Sequence, residues 1–352
     1  MNTKKILFTI GFFGTGGKEK QLSVLIRNLP KNEFQAFLLC NGGDSHFFKE
    51  LKKDVVGFQV VNLVDFISFF KYITKVNPET IYCWSRPTAY LVLIHKYIFR
   101  GKYKLVNASI RSAPVEKSIM TRLHGLLYNF FPYVVANSKE GLRAFGQYSK
   151  PNRFVLCNSI EVKKPLLDKQ EIRRKLGIPD GKFVISMVAG FKKTKDHLMI
   201  VEALSKYLRN EDNILVYFVG DGAGRKNIEK KIYDNKIKNV VIPGSISDTS
   251  EVLFASDLST LCSTNGEGMP NSILESLAVG TPVIATKGGG TGEIVKDSVN
   301  GYLIDIGDAE EFSDKVKFLM KNKNVLDRMS EESKNIVKDF NVLKMIEQFK
   351  RI

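Results

Sequence analysis

No stretch of the 352-residue sequence contains the roughly 20 apolar residues that a membrane-spanning helix needs. Low-complexity tracts are also missing, so the chain is expected to bury two cores of ordinary domain size. Only four cysteines occur, far apart in the sequence, which favours buried thiols over a disulfide framework or a zinc site. These absences predict a two-domain protein of the reducing cytoplasm that is not integral to a membrane.

Acidic residues are scarce in the first half of the chain. Of 53 Lys and Arg and 37 Asp and Glu, residues 1–162 hold 23 and 10, which leaves 30 and 27 for the remainder. The formal net charge of +16 is therefore concentrated in the amino-terminal part. Such a field suits nucleic acid, acidic lipid headgroups or a pyrophosphate-linked substrate, although solubility alone also accounts for it.

The first 30 residues predict a strand, a glycine loop and a helix. The apolar run Lys4–Ile10 has strand composition, and a helical pattern begins after the glycines that follow it. Glycines let the backbone approach a ligand and leave helix amides free for an anion. The dinucleotide pattern Gly-x-Gly-x-x-Gly fails because Glu19 stands at its last position, which disfavours a nicotinamide enzyme.

Strand-like and helix-like segments alternate in two series, which predicts two doubly wound α/β domains, 1–162 and 163–352. A polar linker near residues 160–166 separates them, and a last helix at about 335–352 is expected to pack back toward the first domain. Two such halves are expected to face one ligand-binding cleft. The expected strands are Lys4–Ile10, Gln35–Cys40, Gln59–Leu63, Thr80–Trp84, Leu105–Ile110, Tyr133–Ala136, Arg153–Cys157, Phe183–Val188, Ile214–Val219, Asn239–Ile242, Leu258–Cys262, Pro282–Ala285 and Gly301–Ile304.

The segment 258–284 carries the most specific chemistry and is predicted to form a strand, a polar loop, a helix and a strand. Pro270 is tolerated in a first helical turn, and Asn271 or Ser272 is expected to cap it. Residues 265–269 should therefore lie where a helix begins, and its free amides would favour an anion there.

Two carboxylates, Glu267 and Glu275, bracket this helix start. Along one continuous helix, eight residues correspond to about 12 Å of rise, too far for the close acid pair of a retaining glycosidase. A ligand that touches both must be long, polyhydroxylated and anionic at one end, as a nucleotide diphosphate sugar is. The helix is expected to pack its apolar face, Ile273, Leu274, Leu277 and Ala278, on the sheet.

Several motifs taken together resemble one family. They are the glycine loop ending at Glu19, the lysine loop around Lys195, EGMPNSILE at 267–275, Gly280–Val283, Gly288–Gly290, Glu293–Ile294 and Asn300–Gly301. Over nearly its full length the chain resembles the retaining glycosyltransferases of family 4. The resemblance implies the GT-B fold, in which two Rossmann-like domains face each other across a cleft.

The resemblance also implies roles for particular residues. Glu275 would hold the ribose hydroxyls, Glu267 would contact the donor sugar, and Lys195 would neutralise the diphosphate leaving group. Glu267 and Lys195 are then the catalytic candidates. The implied donor-binding residues are Gly16, Gly17, Lys192, Lys193, Gly268, Met269, Asn271 and Glu275, and Asn158 corresponds to a family turn between the domains.

One position departs from the family pattern. An arginine usually stands five residues before the loop lysine, and this chain has Gly190 there, with Lys192 or Lys193 as substitutes. Lysine supplies charge without the bidentate fork of arginine.

The implied reaction transfers a hexose or N-acetylhexosamine, with UDP favoured over GDP as the carrier, to a lipid-linked oligosaccharide or polysaccharide acceptor. This is the chemistry of bacterial surface polysaccharide synthesis. Retention by front-side attack is expected, with no covalent nucleophile, no cofactor and no metal, because lysine and helix amides can stabilise the leaving group. The sequence also lacks the Asp-x-Asp element with which other glycosyltransferases hold a divalent ion.

The acceptor side is expected in the amino-terminal half. The stretches 90–104 and 123–135 mix aromatic, aliphatic and basic residues, as a surface at an anionic membrane would, although core faces with solvated charges fit equally well. Arg111, at the end of a strand, is expected to meet an acceptor phosphate. His124 is a candidate acceptor-side residue, although a lone histidine in apolar surroundings more often has a structural role.

Two alternatives stay open. A GT-B-like nucleotide sugar epimerase would convert its donor without an acceptor. A nucleic-acid-binding protein would use the positive charge, but the chain has no recognised nucleic-acid motif and no repeating pattern of stacking aromatics. The favoured hypothesis is a cytoplasmic glycosyltransferase at the inner face of an anionic membrane.

Overall fold

The computed structural model describes residues 3–43, 45–161, 165–210, 213–246 and 248–352. The chain divides into two compact units, which are Met1–Ser159 with Val342–Ile352, and Ile160–Asn341. The predicted boundary between residues 162 and 163 lies outside the described residues. Within the described ranges, every helix is too short or too polar to cross a bilayer.

The first unit is built on a seven-stranded parallel sheet in the order β3-β2-β1-β4-β5-β6-β7, as far as the described residues show. Its strands are β1 Lys4–Ile10, β2 Phe34–Cys40, β3 Gly57–Val60, β4 Thr80–Cys83, β5 Lys104–Ile110, β6 Tyr133–Ala136 and β7 Arg153–Val155. Its helices are α1 Gly17–Arg27, α2 His46–Leu51, α3 Phe66–Val76, α4 Arg86–Ile98, α5 Ile119–Leu127, α6 Lys139–Ala144 and α15 Val342–Lys350, with a short 3-10 helix at Tyr128–Phe130.

Helices cover both faces of this sheet, because side chains of its strands alternate between two buried clusters. One cluster joins the sheet to α1, α2 and α15, and the other joins it to α3, α4, the 3-10 helix and α6. The carboxyl-terminal α15 belongs to this unit through Phe349, whose ring centre lies 5.2 Å from that of Tyr82 and 6.2 Å from that of Phe8.

The second unit contains a six-stranded parallel sheet in the order β10-β9-β8-β11-β12-β13, again among the described residues. Its strands are β8 Phe183–Val188, β9 Ile214–Val219, β10 Val240–Gly244, β11 Leu258–Leu261, β12 Val283–Thr286 and β13 Gly301–Ile304. Its helices are α7 Lys169–Lys175, α8 His197–Asn210, α9 Arg225–Asp234, α10 Ser250–Ala255, α11 Asn271–Ala278, α12 Thr291–Ile294, α13 Ala309–Lys321 and α14 Lys323–Val337, with a 3-10 helix at Lys338–Phe340.

The third strand was predicted wrongly at residues 59–63. It runs from Gly57 to Val60, where it pairs with β2. The Leu63 amide instead donates to the side-chain oxygen of Asn41, at 3.2 Å, and Asp65 then caps α3. These polar contacts end the strand although the sequence stays apolar, and because the strand lies at the sheet edge its exposed face gives no hydrophobic pattern.

Each sheet reverses its strand order once, between β1 and β4 in the first unit and between β8 and β11 in the second. In doubly wound folds, ligands bind at the carboxyl ends of the strands beside such a switch point. The glycine loop follows β1, and the lysine loop and the Glu267 loop follow β8 and β11. The predicted donor residues therefore lie at the two switch points of their own sheets.

Candidate functional site

The lysine loop of the second unit is fixed by the loop beside it. Phe191 is buried, its amide donates to the carbonyl of Asp221 at 3.0 Å, and its own carbonyl accepts from Gly224 at 2.9 Å. A side chain at Gly222, which has φ +153°, would place its Cβ 2.7 Å from the Phe191 carbonyl oxygen. The glycines after β9 therefore allow the two loops to pack backbone against backbone.

The same lysine loop is tied to the loop after β11. Asp196 donates its amide to the Cys262 carbonyl at 2.9 Å, and Thr264 donates its amide to the Thr194 carbonyl at 3.1 Å. These bonds fix the backbone on either side of Lys195 relative to the loop that carries Glu267.

Lys195 and Glu267 form an ion pair with 2.6 Å between Nζ and Oε1. The Ser263 hydroxyl donates to the same Oε1 at 2.8 Å. The two charged side chains are 16% and 25% exposed, so the pair is partly screened by solvent and partly buried. The two residues predicted to be catalytic are therefore direct partners in the second unit.

The Glu267 loop rests on the glycines after β12. Gly290 donates its amide to the Glu267 carbonyl at 2.8 Å. Gly289 has φ +62°, and a Cβ there would lie 1.9 Å from the same carbonyl oxygen. Only glycine fits this position, both for its left-handed backbone and for the close contact.

Helix α11 begins at Asn271, and Pro270 occupies the position before it. The expectation that Asn271 or Ser272 caps the helix is wrong, because the N-cap position is held by Pro270, which precedes both residues. Gly268 and Met269 are buried just before the helix. The predicted apolar face is confirmed, since Ile273, Leu274, Leu277 and Ala278 are all buried.

The two carboxylates do not lie on one continuous helix. Glu267 lies in the loop and only Glu275 lies in α11, so the two are not separated by eight residues of one helix. Glu275 Oε2 accepts a hydrogen bond from the Thr249 hydroxyl at 3.0 Å, just before α10. Sequence reasoning missed both Thr249 and Ser263, since a hydroxyl between two motifs carries no spacing signal of its own.

Lys192 and Lys193 are exposed, and neither side chain forms an ion pair within the described ranges. They differ in their position relative to Gly190. A Cβ built on Gly190 would lie 3.7 Å from Cε of Lys192, so the Lys192 side chain lies over the site where the family arginine would start.

In the first unit, Gly16 precedes α1 and Gly17 is its first residue. A Cβ on Gly16 would lie 2.7 Å from Oε2 of Glu19, which is buried and paired with Lys18 at 3.4 Å. The glycine at 16 therefore leaves room for the buried Glu19 carboxylate, which is a reason for this glycine that sequence reasoning did not foresee.

The two acceptor-side candidates have different surroundings. His124 Nδ1 lies 2.6 Å from the Tyr90 hydroxyl, and burial together with the charge of Arg86 lowers the pKa of His124. Arg111 follows β5, and its guanidinium carbon lies 3.6 Å from the ring centre of Trp84. The structure does not bring His124 and Arg111 into a shared hydrogen bond.

Other reactive groups are structural. All four cysteines are free, and burial raises the pKa of the Cys83 and Cys262 thiols to about 12. Buried His197 stacks on Phe191 with 4.2 Å between ring centres, and burial lowers its pKa to about 4. In the described parts of the chain, no group of three or more His, Cys, Asp or Glu is placed to hold a metal ion.

Comparison with known proteins locates the resemblance in the second unit. Residues 168–336 match the sequence model of the family Glycosyl transferases group 1. The UDP-Gal:alpha-D-GlcNAc-diphosphoundecaprenol alpha-1,3-galactosyltransferase of Escherichia coli is 31% identical over 205 residues, which cover 56% of this chain and 52% of that protein. The chain spans about half the length of that relative and of three others that it matches.

Similarity to other proteins extends over nearly the whole chain. An uncharacterized glycosyltransferase of Haemophilus influenzae is 24% identical over 99% of both chains. Anabaena Alr3699/HepE, in its crystal structure in complex with UDP-glucose, superimposes with a TM-score of 0.87 at 22% identity, over 99% of this chain and 98% of that one. The fold is therefore GT-B, with two Rossmann-like units, and residues 168–336 match the group 1 glycosyltransferases.

Proposed function

We propose that this protein is a glycosyltransferase that uses a nucleotide diphosphate sugar and holds the donor on its second unit. The observation that carries the proposal is the Lys195–Glu267 pair beside the start of α11, at the switch point of that sheet. A cation, a carboxylate and the positive end of a helix dipole together suit a diphosphate joined to a sugar. The family match over residues 168–336 supports the same assignment.

Each part of the donor has a partner in this arrangement. Lys195 and the amides at the start of α11 stabilise the negative charge that develops on the diphosphate. Glu275, held by Thr249 at 3.0 Å, accepts hydrogen bonds from the ribose hydroxyls. UDP is the favoured nucleotide, because the Escherichia coli relative is named for UDP-Gal and the Anabaena structure contains UDP-glucose. A hexose or N-acetylhexosamine is the proposed sugar.

Lys192, rather than Lys193, takes the place of the family arginine at Gly190. This assignment is supported by the position of the Lys192 side chain over Gly190. Lys193, its neighbour, provides a matched control for a substitution at Lys192. Lys192→Ala is expected to weaken UDP binding by about tenfold, the loss of a contact worth ~1.4 kcal/mol, while Lys193→Ala changes it little. Equal effects of the two substitutions in calorimetric titrations would contradict the assignment.

The reaction proceeds with retention, by front-side attack of the acceptor hydroxyl on the anomeric carbon as the bond to the diphosphate breaks. Glu267 contacts the sugar and no covalent intermediate forms. No divalent ion takes part, because lysine and helix amides carry the charge of the leaving group. Proton NMR of the product linkage tests retention, since inversion would give the opposite anomer.

The acceptor is a lipid-linked oligosaccharide or a polysaccharide, and the first unit meets the membrane. The outer surface of α4, α5 and the residues that directly follow each of them exposes Ile98, Phe99, Ile119, Leu126 and Phe130, and basic residues stand beside them. An exposed apolar surface with cations suits the interface of an anionic bilayer. This face lies on the side of the sheet opposite α15.

Flotation with phosphatidylglycerol vesicles tests the membrane contact. Ile119→Ser with Leu126→Ser is expected to reduce the bound fraction severalfold, because two apolar anchors are lost. Leu343→Ser is the matched control, since Leu343 is 76% exposed on α15 at the other face. Equal binding of the wild type and the double variant would contradict the proposal.

The function itself is tested by incubating the protein with a panel of nucleotide sugars and lipid-linked acceptors, with and without a chelator. The expected result is nucleotide diphosphate release that requires acceptor and persists with the chelator. Conversion of the donor to an isomer without acceptor would identify an epimerase instead. Tight, salt-steep binding to generic DNA or RNA without any release would favour a nucleic-acid-binding role.

A further inference from the structure

A second anion site is indicated in the first unit, at the end of β5. Arg111 donates from Nε to the Ala108 carbonyl at 3.2 Å, and its guanidinium carbon lies 3.6 Å from the ring centre of Trp84. Its two terminal nitrogens, Nη1 and Nη2, are buried and have no hydrogen-bond partner among the described residues. Four N–H bonds of a charged group are thus withdrawn from water without an acceptor.

Such an arrangement costs free energy unless a partner completes it. Taking a guanidinium out of water is unfavourable, and a stacked ring covers only its face and leaves the N–H edge unsatisfied. No carboxylate of the described chain is paired with Arg111, and the nearby Tyr82 hydroxyl is buried, which raises its pKa and keeps it neutral. An oxyanion that reached these N–H groups would supply the acceptors that the described residues do not.

A second unsatisfied group lies at the carboxyl end of β6, the strand next to β5. Asn137 is 3% exposed, and its side-chain oxygen also lacks a partner in the described part of the chain. The backbone amide of Asn137 donates to the Ile110 carbonyl at 3.2 Å, which places Asn137 beside the residue that precedes Arg111. The Arg111 guanidinium can donate to an acceptor with two oxygens, and the Asn137 side-chain oxygen can accept from a donor such as a hydroxyl.

We propose that Arg111 binds the anionic group of the acceptor substrate through Nη1 and Nη2, and that Asn137 accepts a hydrogen bond from a neighbouring hydroxyl. The anion is a phosphoryl or carboxylate oxyanion, since both present two oxygens to the fork of arginine. This inference rests on the proposed function only in assigning the anion to the acceptor. The existence of the site depends on the first unit alone.

The chain provides its own reporter, because Trp84 is its only tryptophan. The experiment titrates the full-length protein with inorganic phosphate and, separately, with acetate, and follows the intrinsic fluorescence of Trp84. An oxyanion on Arg111 changes the charge balance directly over the indole, so a saturable change in emission is expected. The stronger of the two anions identifies the class of the acceptor group.

Three variants decide whether the response comes from this site. Arg111→Met is expected to weaken phosphate binding about 10- to 100-fold, the loss of charge-assisted hydrogen bonds, and Arg111→Lys by less, since charge remains without the fork. Arg153→Met is the matched control, because the Arg153 guanidinium already donates to Gln147 at 2.9 Å and to backbone carbonyls. Lys195→Ala should keep the response, since it removes the proposed donor cation only.

Several outcomes would overturn the proposal. They are no fluorescence change at any anion concentration, an unchanged response in a folded Arg111→Lys or Arg111→Met variant, or loss of the response in Lys195→Ala. With an active donor and acceptor pair, Arg111→Met is expected to raise KM for the acceptor about tenfold or more and Arg111→Lys by less, with little effect on KM for the donor. Because the phosphate titration needs no turnover, its result is independent of whether sugar transfer is found.

Discussion

The ion pair between Lys195 and Glu267 predicts opposite effects on nucleotide affinity. In the free protein, the Lys195 ammonium is already neutralised by a carboxylate 2.6 Å away. A diphosphate that binds there must compete with Glu267 for the same cation. Glu267→Gln removes the competitor and is expected to bind UDP more tightly, while Lys195→Ala removes the cation and is expected to bind UDP more weakly.

The coupling free energy between Lys195 and Glu267 can be bounded from the solvent exposure of the two side chains. Exposed pairs contribute about 0–1 kcal/mol, and breaking a fully buried pair costs about 3–5 kcal/mol. With side chains 16% and 25% exposed, a coupling of about 1–3 kcal/mol is expected between the two positions. An affinity gain of about tenfold for UDP in Glu267→Gln corresponds to ~1.4 kcal/mol of that coupling.

Calorimetric titration of the two single variants and the double variant measures their affinities for UDP. Urea unfolding of the same variants measures the coupling free energy between the two positions. UDP is the suitable probe because it lacks the sugar that Glu267 is proposed to contact. Lys175 and Glu251 form a more exposed pair at 2.7 Å in the same unit, and their cycle should give a coupling close to zero. Weaker UDP binding in Glu267→Gln, or no coupling in unfolding, would show that Glu267 does not compete with the diphosphate for Lys195.

Three further predictions concern the supports of the site. Gly289→Ala should reduce turnover strongly and destabilise the second unit by at least ~1–3 kcal/mol, because its Cβ would collide with the Glu267 carbonyl and its backbone would be strained. Thr249→Val should raise KM for the donor severalfold by releasing Glu275, as steady-state kinetics would show. Burial lowers the pKa of His197 to about 4, below the value of about 6.5 in an unfolded chain. Stability is therefore lost as pH falls from 6.5 towards 4, because the unfolded chain takes up the proton first. His197→Gln should flatten the dependence of urea-unfolding stability on pH over that range.

Matched variants separate these effects from general damage. Gly307 has φ +81° with nothing within 4 Å of an added Cβ, so Gly307→Ala introduces backbone strain without a collision and should keep turnover. Thr249→Ser retains the hydroxyl and should behave like the wild type. Loss of activity in either control variant would show that the substitutions act through folding rather than through the site.

Most of the fold could be predicted from the sequence. Buried parallel strands are read as apolar runs, and Phe183–Val188 and Ile214–Val219 were predicted with the bounds that the structure shows. The edge strand at Gly57–Val60 could not be placed, because it has no buried face and a polar contact ends it. The order of the strands, and hence the switch points, depends on long-range pairing that carries no local signal.

The candidate site was only partly predictable. The motifs identified Lys195 and Glu267, but not that the two residues are ion-paired with each other. Thr249 and Ser263 act through single hydroxyl hydrogen bonds, which depend on how loops from separate strands meet. The unsatisfied edge of Arg111 is likewise visible only in three dimensions, because an arginine after a strand is otherwise an ordinary surface residue.

A crystal structure with UDP bound would show whether Lys195, Glu267 and Glu275 hold the donor nucleotide. We expect the diphosphate within hydrogen-bonding distance of Lys195 Nζ, the ribose hydroxyls in contact with the Glu275 carboxylate, and Glu267 released from Lys195. A nucleotide bound elsewhere, or bound at this site with the Lys195–Glu267 pair intact and no contact to Glu275, would contradict this expectation.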